Sequence, residues 1–248
     1  NPDRNDPAVK PGDPYPFQRS KNPYLSLLEK WGTPGESTKF SQPPVASLSS
    51  DEGFHRGTTS IVAADEEGWV VSATPSGGWV PAFIAGRTGI GLSQRMQSFV
   101  LEEGQNPFNV LVPGKHPRVT LTPSLALKNG KPWLAFAVQG GDNQDQNLLQ
   151  FFLNVVEFGM TVQEAAEGPN IISYQMRSSF GEHESQPGRL LVNANTPEWV
   201  KAELRKMGYK IETEERTSGP INAILLDHEH GTFWGGSSDH GEDYGIGW

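Results

Sequence analysis

Two apolar runs separated by a polar turn open the patterned part of the chain. Residues 61–64 read Ile-Val-Ala-Ala and residues 69–73 read Trp-Val-Val-Ser-Ala, with Asp-Glu-Glu-Gly between them. Short apolar runs bounded by turn residues are typical of strands, so this stretch predicts a β-hairpin. Thr58 stands just before the first run, and this position puts a hydroxyl at the leading edge of the predicted hairpin.

Strand and helix patterns follow one another in the second half of the chain. An Asn-Gly pair at 129–130 lies between apolar runs at 124–127 and 132–138, which is a strong hairpin signal. Residues 148–158 place apolar side chains on nearly every face of a helix and therefore predict a buried helix. Thr and Glu at the ends of 161–164 form a capping-box pattern, which predicts a second, short helix.

The C-terminal patterns complete the prediction of fold class. Residues 190–192 predict a strand, and a helix is expected from Thr196, with a cap, a proline at its first position and Gly208 as terminator. Residues 221–226 and 232–235 predict a last hairpin. Strands, then helices, then strands again are typical of a layered α+β domain.

Residues 1–57 differ in composition from the rest. They hold nine of the chain's twenty prolines, and this density opposes helices and central strands. We interpret them as an extended arm with one short helical candidate at 24–31. A disordered linker is the alternative, and the aromatic residues in the arm argue against it. The first residues, Asn-Pro-Asp, are those expected in the middle of a longer product.

Charge and cysteine content exclude several classes of function. The formal net charge is −9, with 29 acidic and 20 basic residues, so nucleic-acid phosphates would be repelled. No apolar run approaches the length that spans a bilayer. The chain has no cysteine, which excludes disulfides, thiolate zinc sites and cysteine nucleophiles. His228, His230 and His240 stand near acidic residues, but their spacing matches no zinc template, so we predict no metal.

Thr58 is the residue of greatest chemical interest in the hairpin. A threonine hydroxyl needs a base to become a nucleophile, and no side-chain base lies nearby in sequence. Cleavage of the chain before Thr58 would free an α-amine with a pKa near 8, which can serve as that base. The alternative is that Thr58 is simply a good strand former.

The chain resembles the small subunit of γ-glutamyltranspeptidases. The resemblance is carried, in order, by Thr58-Thr59, Gly86-x-x-Gly89-Ile90, Pro113-Gly114-Lys115-His116-Pro117, Thr122-Pro123 and Gly140-Gly141-Asp142. It covers roughly residues 58–248. An ordered series of this length is far more specific than any single motif. It implies a four-layer αββα sandwich of the N-terminal-nucleophile hydrolase type.

The resemblance also implies roles for individual residues. Thr58 would be the nucleophile, Ser76 would hydrogen-bond to it, and the amides of Gly140 and Gly141 would hold the oxyanion. Residues 1–57 would be the end of the large subunit and residues 58–248 the small-subunit catalytic portion. The implied assembly is a heterodimer with a large subunit from the same precursor, or a dimer of heterodimers. The implied substrate is a small amide, no cofactor is needed, and the expected location is periplasmic or secreted.

Four positions depart from what the family has. Ser98 stands where an acidic residue holds the substrate's α-amino group, and Arg95 replaces an assisting glutamine. Of two serines that hold the α-carboxylate, the first is replaced by Val119 and only Thr120 keeps a hydroxyl, and Gly78 replaces an asparagine. An ammonium group would lose its charged partner and meet a guanidinium, which is repulsive. Arg95 instead predicts a carboxylate or other electron-rich acyl group without a nearby amine.

Asp142 begins the segment Asp-Asn-Gln-Asp-Gln, which resembles the cephalosporin-acylase-like branch of the family. We expect Asp142 to contribute to substrate binding, together with Arg95, Ser98, Thr120 and Gly78. Arg95 has an alternative interpretation as a partner of a surface acid. If the bond before Thr58 is intact, the chain is a latent precursor or a non-catalytic relative that serves as a binding or structural module; a third possibility is that the sequence joins two fragments of a cleaved product.

Overall fold

A computed structural model describes residues 58–77, 83–106, 109–239 and 243–247. The predicted Pro-rich arm at 1–57, the bond that precedes Thr58, and Gly78 lie outside the described residues.

The secondary structure comprises short strands and three α-helices within the described ranges. The strands are β1 (Ile61–Ala64), β2 (Val70–Ala73), β3 (Phe83–Ile84), β4 (Gly91–Leu92), β5 (Ser124–Lys128), β6 (Lys131–Val138), β7 (Ile171–Ser173), β8 (Arg189–Asn193), β9 (Lys210–Glu214), β10 (Ile221–Asp227) and β11 (Thr232–Ser237). The helices are α1 (Gln144–Val156), α2 (Val162–Glu167) and α3 (Glu198–Lys206), with single 3-10 turns at Arg95–Ser98 and Gly141–Asn143.

The predicted first hairpin is confirmed. β1 and β2 pair antiparallel, with Ile61 opposite Ala73. Asp65 closes the turn, because its Oδ1 accepts a hydrogen bond of 2.9 Å from the amide of Trp69. Gly68 has φ +90°, a value that a residue with a Cβ adopts only with strain.

A four-stranded antiparallel sheet in the order β11-β10-β6-β5 forms the centre of the molecule. The predicted hairpins β5–β6 and β10–β11 are both confirmed. Helices α1 and α2 cover one face, where Phe136 and Phe151 pack with ring centroids 5.4 Å apart. The β1–β2 hairpin covers the other face, where Ser72 Oγ donates a 3.0 Å bond to the carbonyl of Phe136.

Helix α1 is not buried on all sides, so that prediction is wrong. Phe151 faces the sheet and is only 1% exposed, whereas Leu149 is 58% exposed and Phe158 lies 72% exposed beyond the end of the helix. The helix rests on the sheet with one flank, and that contact buries only one stripe of its apolar residues. Helix α2 begins as predicted, because Thr161 and Glu164 form a complete capping box.

A second, smaller sheet packs beside the first helix. β7 pairs antiparallel with β8, and β8 pairs parallel with β9. Helix α3 connects β8 to β9 along the chain. Helix α3 starts one residue later than predicted. Pro197, with ψ 138°, occupies the cap position, and no side chain caps the first turn. The expected terminator Gly208 follows the helix with φ +94°.

Helices, a sheet and a hairpin therefore lie in successive layers, and the predicted α+β fold class is confirmed. Within the described residues, no helix has both the length and the apolar character needed to span a bilayer.

Candidate active site

The site begins at the hydroxyl that precedes β1. Thr58 Oγ1 donates a hydrogen bond of 3.0 Å to Ser76 Oγ, which lies just after β2. The next residue fixes this arrangement, because the amide of Thr59 donates to the carbonyl of Pro75 at 3.2 Å. The antiparallel pairing of the hairpin thus brings two hydroxyls together at its open end.

Arg95 extends this contact into a cluster. Its Nη2 donates to Ser76 Oγ at 2.9 Å, and its Nη1 donates to Thr120 Oγ1 at 3.3 Å. The turn that carries Arg95 is tied to the end of the hairpin, since the amide of Gln94 donates to the carbonyl of Gly77 at 2.6 Å. Because a guanidinium only donates, Ser76 Oγ must accept from Arg95.

The electrostatic state of Arg95 is unusual. The residue is only 8% exposed, and in the described part of the chain no carboxylate lies within 4.0 Å of its guanidinium. Desolvation lowers the pKa of Arg95, and the more distant Asp142 carboxylate opposes this effect. Its Nε is buried with no described hydrogen-bond partner. A buried cation is costly unless it is paired, and none of the described carboxylates lies within 4.0 Å of Arg95, so this geometry favours an anion in the site.

Gly140 and Gly141 form the turn between β6 and α1. Their φ angles are +143° and +59°, in the positive range that favours glycine. Among the described residues, neither amide donates a hydrogen bond to another group. Free backbone N–H groups at the start of a helix are suited to binding a developing negative charge.

Two polar contacts bring this turn towards the hydroxyl cluster. Asn222 Nδ2 donates to Ser60 Oγ at 3.3 Å, and Asn222 pairs with Ala137, three residues before Gly140. Buried Gln144, at the start of α1, places its side-chain amide 3.1 Å from the carbonyl oxygens of Val138 and Thr120. The open end of the hairpin therefore lies near the carboxyl end of β6.

Ser98 faces the backbone in this structure. It is 1% exposed, and its hydroxyl lies 2.8 Å from the carbonyl oxygen of Arg95 and 2.7 Å from that of Arg118, to which it donates. These bonds fix the turn that carries Arg95. The carboxylate expected at this position in the family is absent, and the hydroxyl is used to position Arg95.

Asp142 is also engaged within the protein. Its Oδ2 accepts from the amide of Ser179 at 2.7 Å, and its Oδ1 accepts from Ser179 Oγ at 2.5 Å. Arg118 Nη2 lies 3.4 Å from Oδ1. Asp142 therefore anchors residues 174–188, the connection between β7 and β8, which we call the 174–188 loop.

The sequence interpretation did not include Phe180, which this loop carries. Its ring centroid lies 6.0 Å from Arg95 Cζ, in the range of a cation–π contact. The loop has no hydrophobic periodicity, and Phe180 is 85 positions from Arg95 in sequence. No local pattern could have placed the two together.

The histidines of the C-terminal turn have other contacts. His228 Nε2 lies 2.6 Å from the carbonyl oxygen of Pro132, and His230 Nδ1 lies 2.7 Å from Asp227 Oδ2. Across the described ranges, no group of three or more side chains is arranged to hold a metal ion. His240 lies outside these ranges.

Two helices cover one face of a central sheet, and a hairpin with a hydroxyl at its open end covers the other face. This arrangement is the fold of the N-terminal-nucleophile hydrolase class. The model of the gamma-glutamyltranspeptidase family matches residues 32–248, and the chain belongs to this family.

Individual relatives agree with this assignment. The chain is 31% identical over 198 residues to the glutathione hydrolase proenzyme of Bacillus subtilis (strain 168), covering 76% of this chain and 31% of that protein. It thus spans about a third of the length of this curated relative.

Solved structures give the same picture. An acivicin-inhibited gamma-glutamyltranspeptidase superposes with a TM-score of 0.63 at 28% identity, over 75% of this chain and 100% of that one. A cephalosporin acylase from Bacillus halodurans superposes with a TM-score of 0.58 at 27% identity, over 68% of this chain and 30% of that one.

Proposed function

We propose that this chain is the small-subunit part of an amide hydrolase or acyl transferase whose nucleophile is Thr58. The observation that carries the proposal is the chain of contacts from Thr58 through Ser76 to Arg95, with hydrogen bonds of 3.0 Å and 2.9 Å. These contacts position the hydroxyl of Thr58 and place the positive charge of Arg95 on the other side of Ser76. Membership of the gamma-glutamyltranspeptidase family supports the same chemistry.

The reaction follows from the groups in the site. Cleavage before Thr58 frees its α-amine, which takes the hydroxyl proton as Oγ1 attacks the amide carbonyl. The amides of Gly140 and Gly141 donate to the oxyanion of the tetrahedral intermediate. The intermediate collapses with cleavage of the C–N bond, and the amine leaves with the proton. Water or a second amine then attacks the acyl ester and regenerates Thr58.

The charge of Arg95, which has no carboxylate partner among the described residues, indicates the kind of acyl group. A guanidinium carries five N–H donors, and only two have partners among the described residues. A carboxylate is the ligand that matches this planar, buried cation. We therefore propose that the enzyme acts on amides whose acyl group ends in a carboxylate and lacks an α-amine, and that standard γ-glutamyl groups are poor substrates.

The same family supports a large subunit from the same precursor as partner. The outer face of the β1–β2 hairpin carries apolar residues such as Ile61 and Val71 that are about half exposed in this chain. An exposed apolar sheet face favours an additional layer against it. The periplasmic or secreted location stays a prediction, in keeping with the bacterial source of the relatives.

The nucleophile is tested by replacing Thr58 in the protein expressed from its complete gene. Thr58→Ala should abolish both amide hydrolysis and cleavage before residue 58, while Thr58→Ser keeps a hydroxyl and should retain measurable amounts of each. Intact mass reports cleavage, and release of p-nitroaniline from glutaryl-p-nitroanilide reports hydrolysis. Cleavage or hydrolysis at the wild-type rate in Thr58→Ala would contradict the assignment. A wild-type protein that stays uncleaved and inactive would favour a non-catalytic module.

A further inference from the structure

The 174–188 loop has a defined internal structure. The amide of Ser178 donates to the carbonyl of Glu184 at 2.8 Å, and the amide of Gln186 donates to the carbonyl of Tyr174 at 2.8 Å. His183 has φ +56°, a left-handed conformation that turns the chain at the tip. Backbone bonds across both sides of the loop indicate a preformed hairpin-like element.

The loop is also fixed to the rest of the site. Asp142 accepts two bonds from Ser179. Arg118 links Asp142 to the same loop, because its Nη2 lies 3.4 Å from Asp142 Oδ1 and its Nη1 donates to the carbonyl of Arg177 at 3.3 Å. Ser179 is 1% exposed, so the Ser179 side of its bonds to Asp142 is shielded from water. The position of the neighbouring Phe180 is therefore set by the turn that carries the oxyanion amides.

We propose that Phe180 is a specificity-determining residue that limits the length of the acyl chain, an inference that rests on the proposed function. Its half-buried ring lies beside the guanidinium of Arg95, 6.0 Å from Cζ. The Nη2 of Arg95 is separated from Thr58 Oγ1 by two hydrogen bonds through Ser76, of 3.0 Å and 2.9 Å. The attacked carbonyl and the carboxylate that pairs with Arg95 must accordingly lie close together.

This spacing selects short dicarboxylic monoamides. A succinyl or glutaryl group places two or three methylenes between its carbonyl and its carboxylate. A longer chain has to bulge sideways to keep both contacts, and a rigid aromatic ring beside the guanidinium opposes that bulge. A pocket that rejects one additional methylene typically lowers kcat/KM for the longer substrate by about 10-fold or more. We expect the ring of Phe180 to discriminate by about this factor.

The test uses the protein from its complete gene and p-nitroanilides of succinyl, glutaryl, adipyl and pimeloyl groups. Wild type should prefer succinyl or glutaryl. Phe180→Ala should raise the ratio of kcat/KM for adipyl over glutaryl by about tenfold, and Phe180→Leu should give an intermediate value. Inhibition by free glutarate and adipate should shift in the same direction, because the ring acts on binding of the acyl group.

The matched control is Phe158→Ala, which removes an exposed phenyl ring beyond the end of α1. It should leave every ratio unchanged. Thermal unfolding of all variants shows whether the loop change has altered stability. An adipyl-to-glutaryl ratio within twofold of wild type in both Phe180 variants would overturn the inference while leaving the proposed function intact. A wild-type enzyme that cleaves none of the four anilides would overturn both.

Discussion

Replacing Arg95 by methionine separates the charge of this residue from its volume. Methionine keeps an unbranched apolar stem and removes the guanidinium that donates to Ser76 and Thr120. The variant should lose the preference for carboxylate-bearing acyl groups. Hydrolysis of every substrate should also fall, because Ser76 no longer accepts a bond from a cation, so the informative quantity is a ratio between two substrates.

The magnitude follows from the unused donors. Two charge-assisted hydrogen bonds to a carboxylate contribute about 3 kcal/mol at the lower end of their usual range, which corresponds to a factor of about 10². The ratio of kcat/KM for glutaryl over pentanoyl p-nitroanilide should therefore fall by about 10² in Arg95→Met. Pentanoyl has the same chain length without the charge, so general losses cancel in the ratio.

The effect on stability should be small, in contrast to the effect on specificity. Two hydrogen bonds from a charged donor are lost, but so is a buried cation with no described carboxylate within 4.0 Å. These opposing contributions, each of several kcal/mol, leave a net change within about 1 kcal/mol. Urea unfolding of wild type and variant measures it.

A surface arginine provides the control. Arg205→Met removes a half-exposed guanidinium that pairs with Glu198, and it should leave all substrate ratios unchanged. A glutaryl-to-pentanoyl ratio that stays within threefold of wild type in Arg95→Met would refute the proposed carboxylate pairing. A wild-type preference for γ-glutamyl over glutaryl would refute it as well.

Three further predictions concern stability. A Cβ on Gly219 would lie 1.7 Å from the carbonyl oxygen of Gln139, so Gly219→Ala should lower the free energy of unfolding in urea by about 2 kcal/mol or more. A Cβ on Gly235 would meet no atom within 4 Å, so Gly235→Ala should lower it far less. Equal losses of stability in the two variants would contradict the reasoning. Thr161→Ala should lower stability by about 1 kcal/mol through loss of the α2 cap. Bonds from the backbone amide and then the side chain of Thr161 lower the pKa of Glu164, so the bonds to this carboxylate contribute fully above the ordinary glutamate pKa and are lost as pH falls through the lowered value. Glu164→Gln, which removes the titrating carboxylate, should therefore destabilise less at low pH than at neutral pH, and a Glu164→Gln effect that is unchanged at low pH would contradict that sign.

The hairpins and the capped helix were accessible from the sequence because their signals are local. The Asn-Gly turn at 129–130 and the apolar runs on either side of it are enough to predict the β5–β6 hairpin. The capping box at Thr161 is equally local. The sequence analysis missed strand β9, because this strand is polar and mostly exposed. It pairs in parallel with β8, to which a helical crossover connects it.

The site could be predicted only in part, because most of its contacts join distant segments of the chain. The contact between Thr58 and Ser76 agrees with the expectation that Ser76 hydrogen-bonds to Thr58, whereas the bond from Arg95 to Ser76 was not expected, and the catalytic roles stay predictions. The bonding of Ser98 and Asp142 to other parts of the protein was not predictable, because their partners come from distant segments. The position of Phe180 beside Arg95 depends on those same long-range bonds.

The direct link between Asp142 and the 174–188 loop has a consequence for engineering this protein. Since Asp142 follows immediately after Gly141, inserting or deleting residues in the loop would displace the two glycine amides that we propose to bind the oxyanion. Exchanging the single ring at its tip leaves that anchorage untouched. Libraries aimed at new acyl groups should therefore vary the side chain at 180 and keep the loop's length fixed.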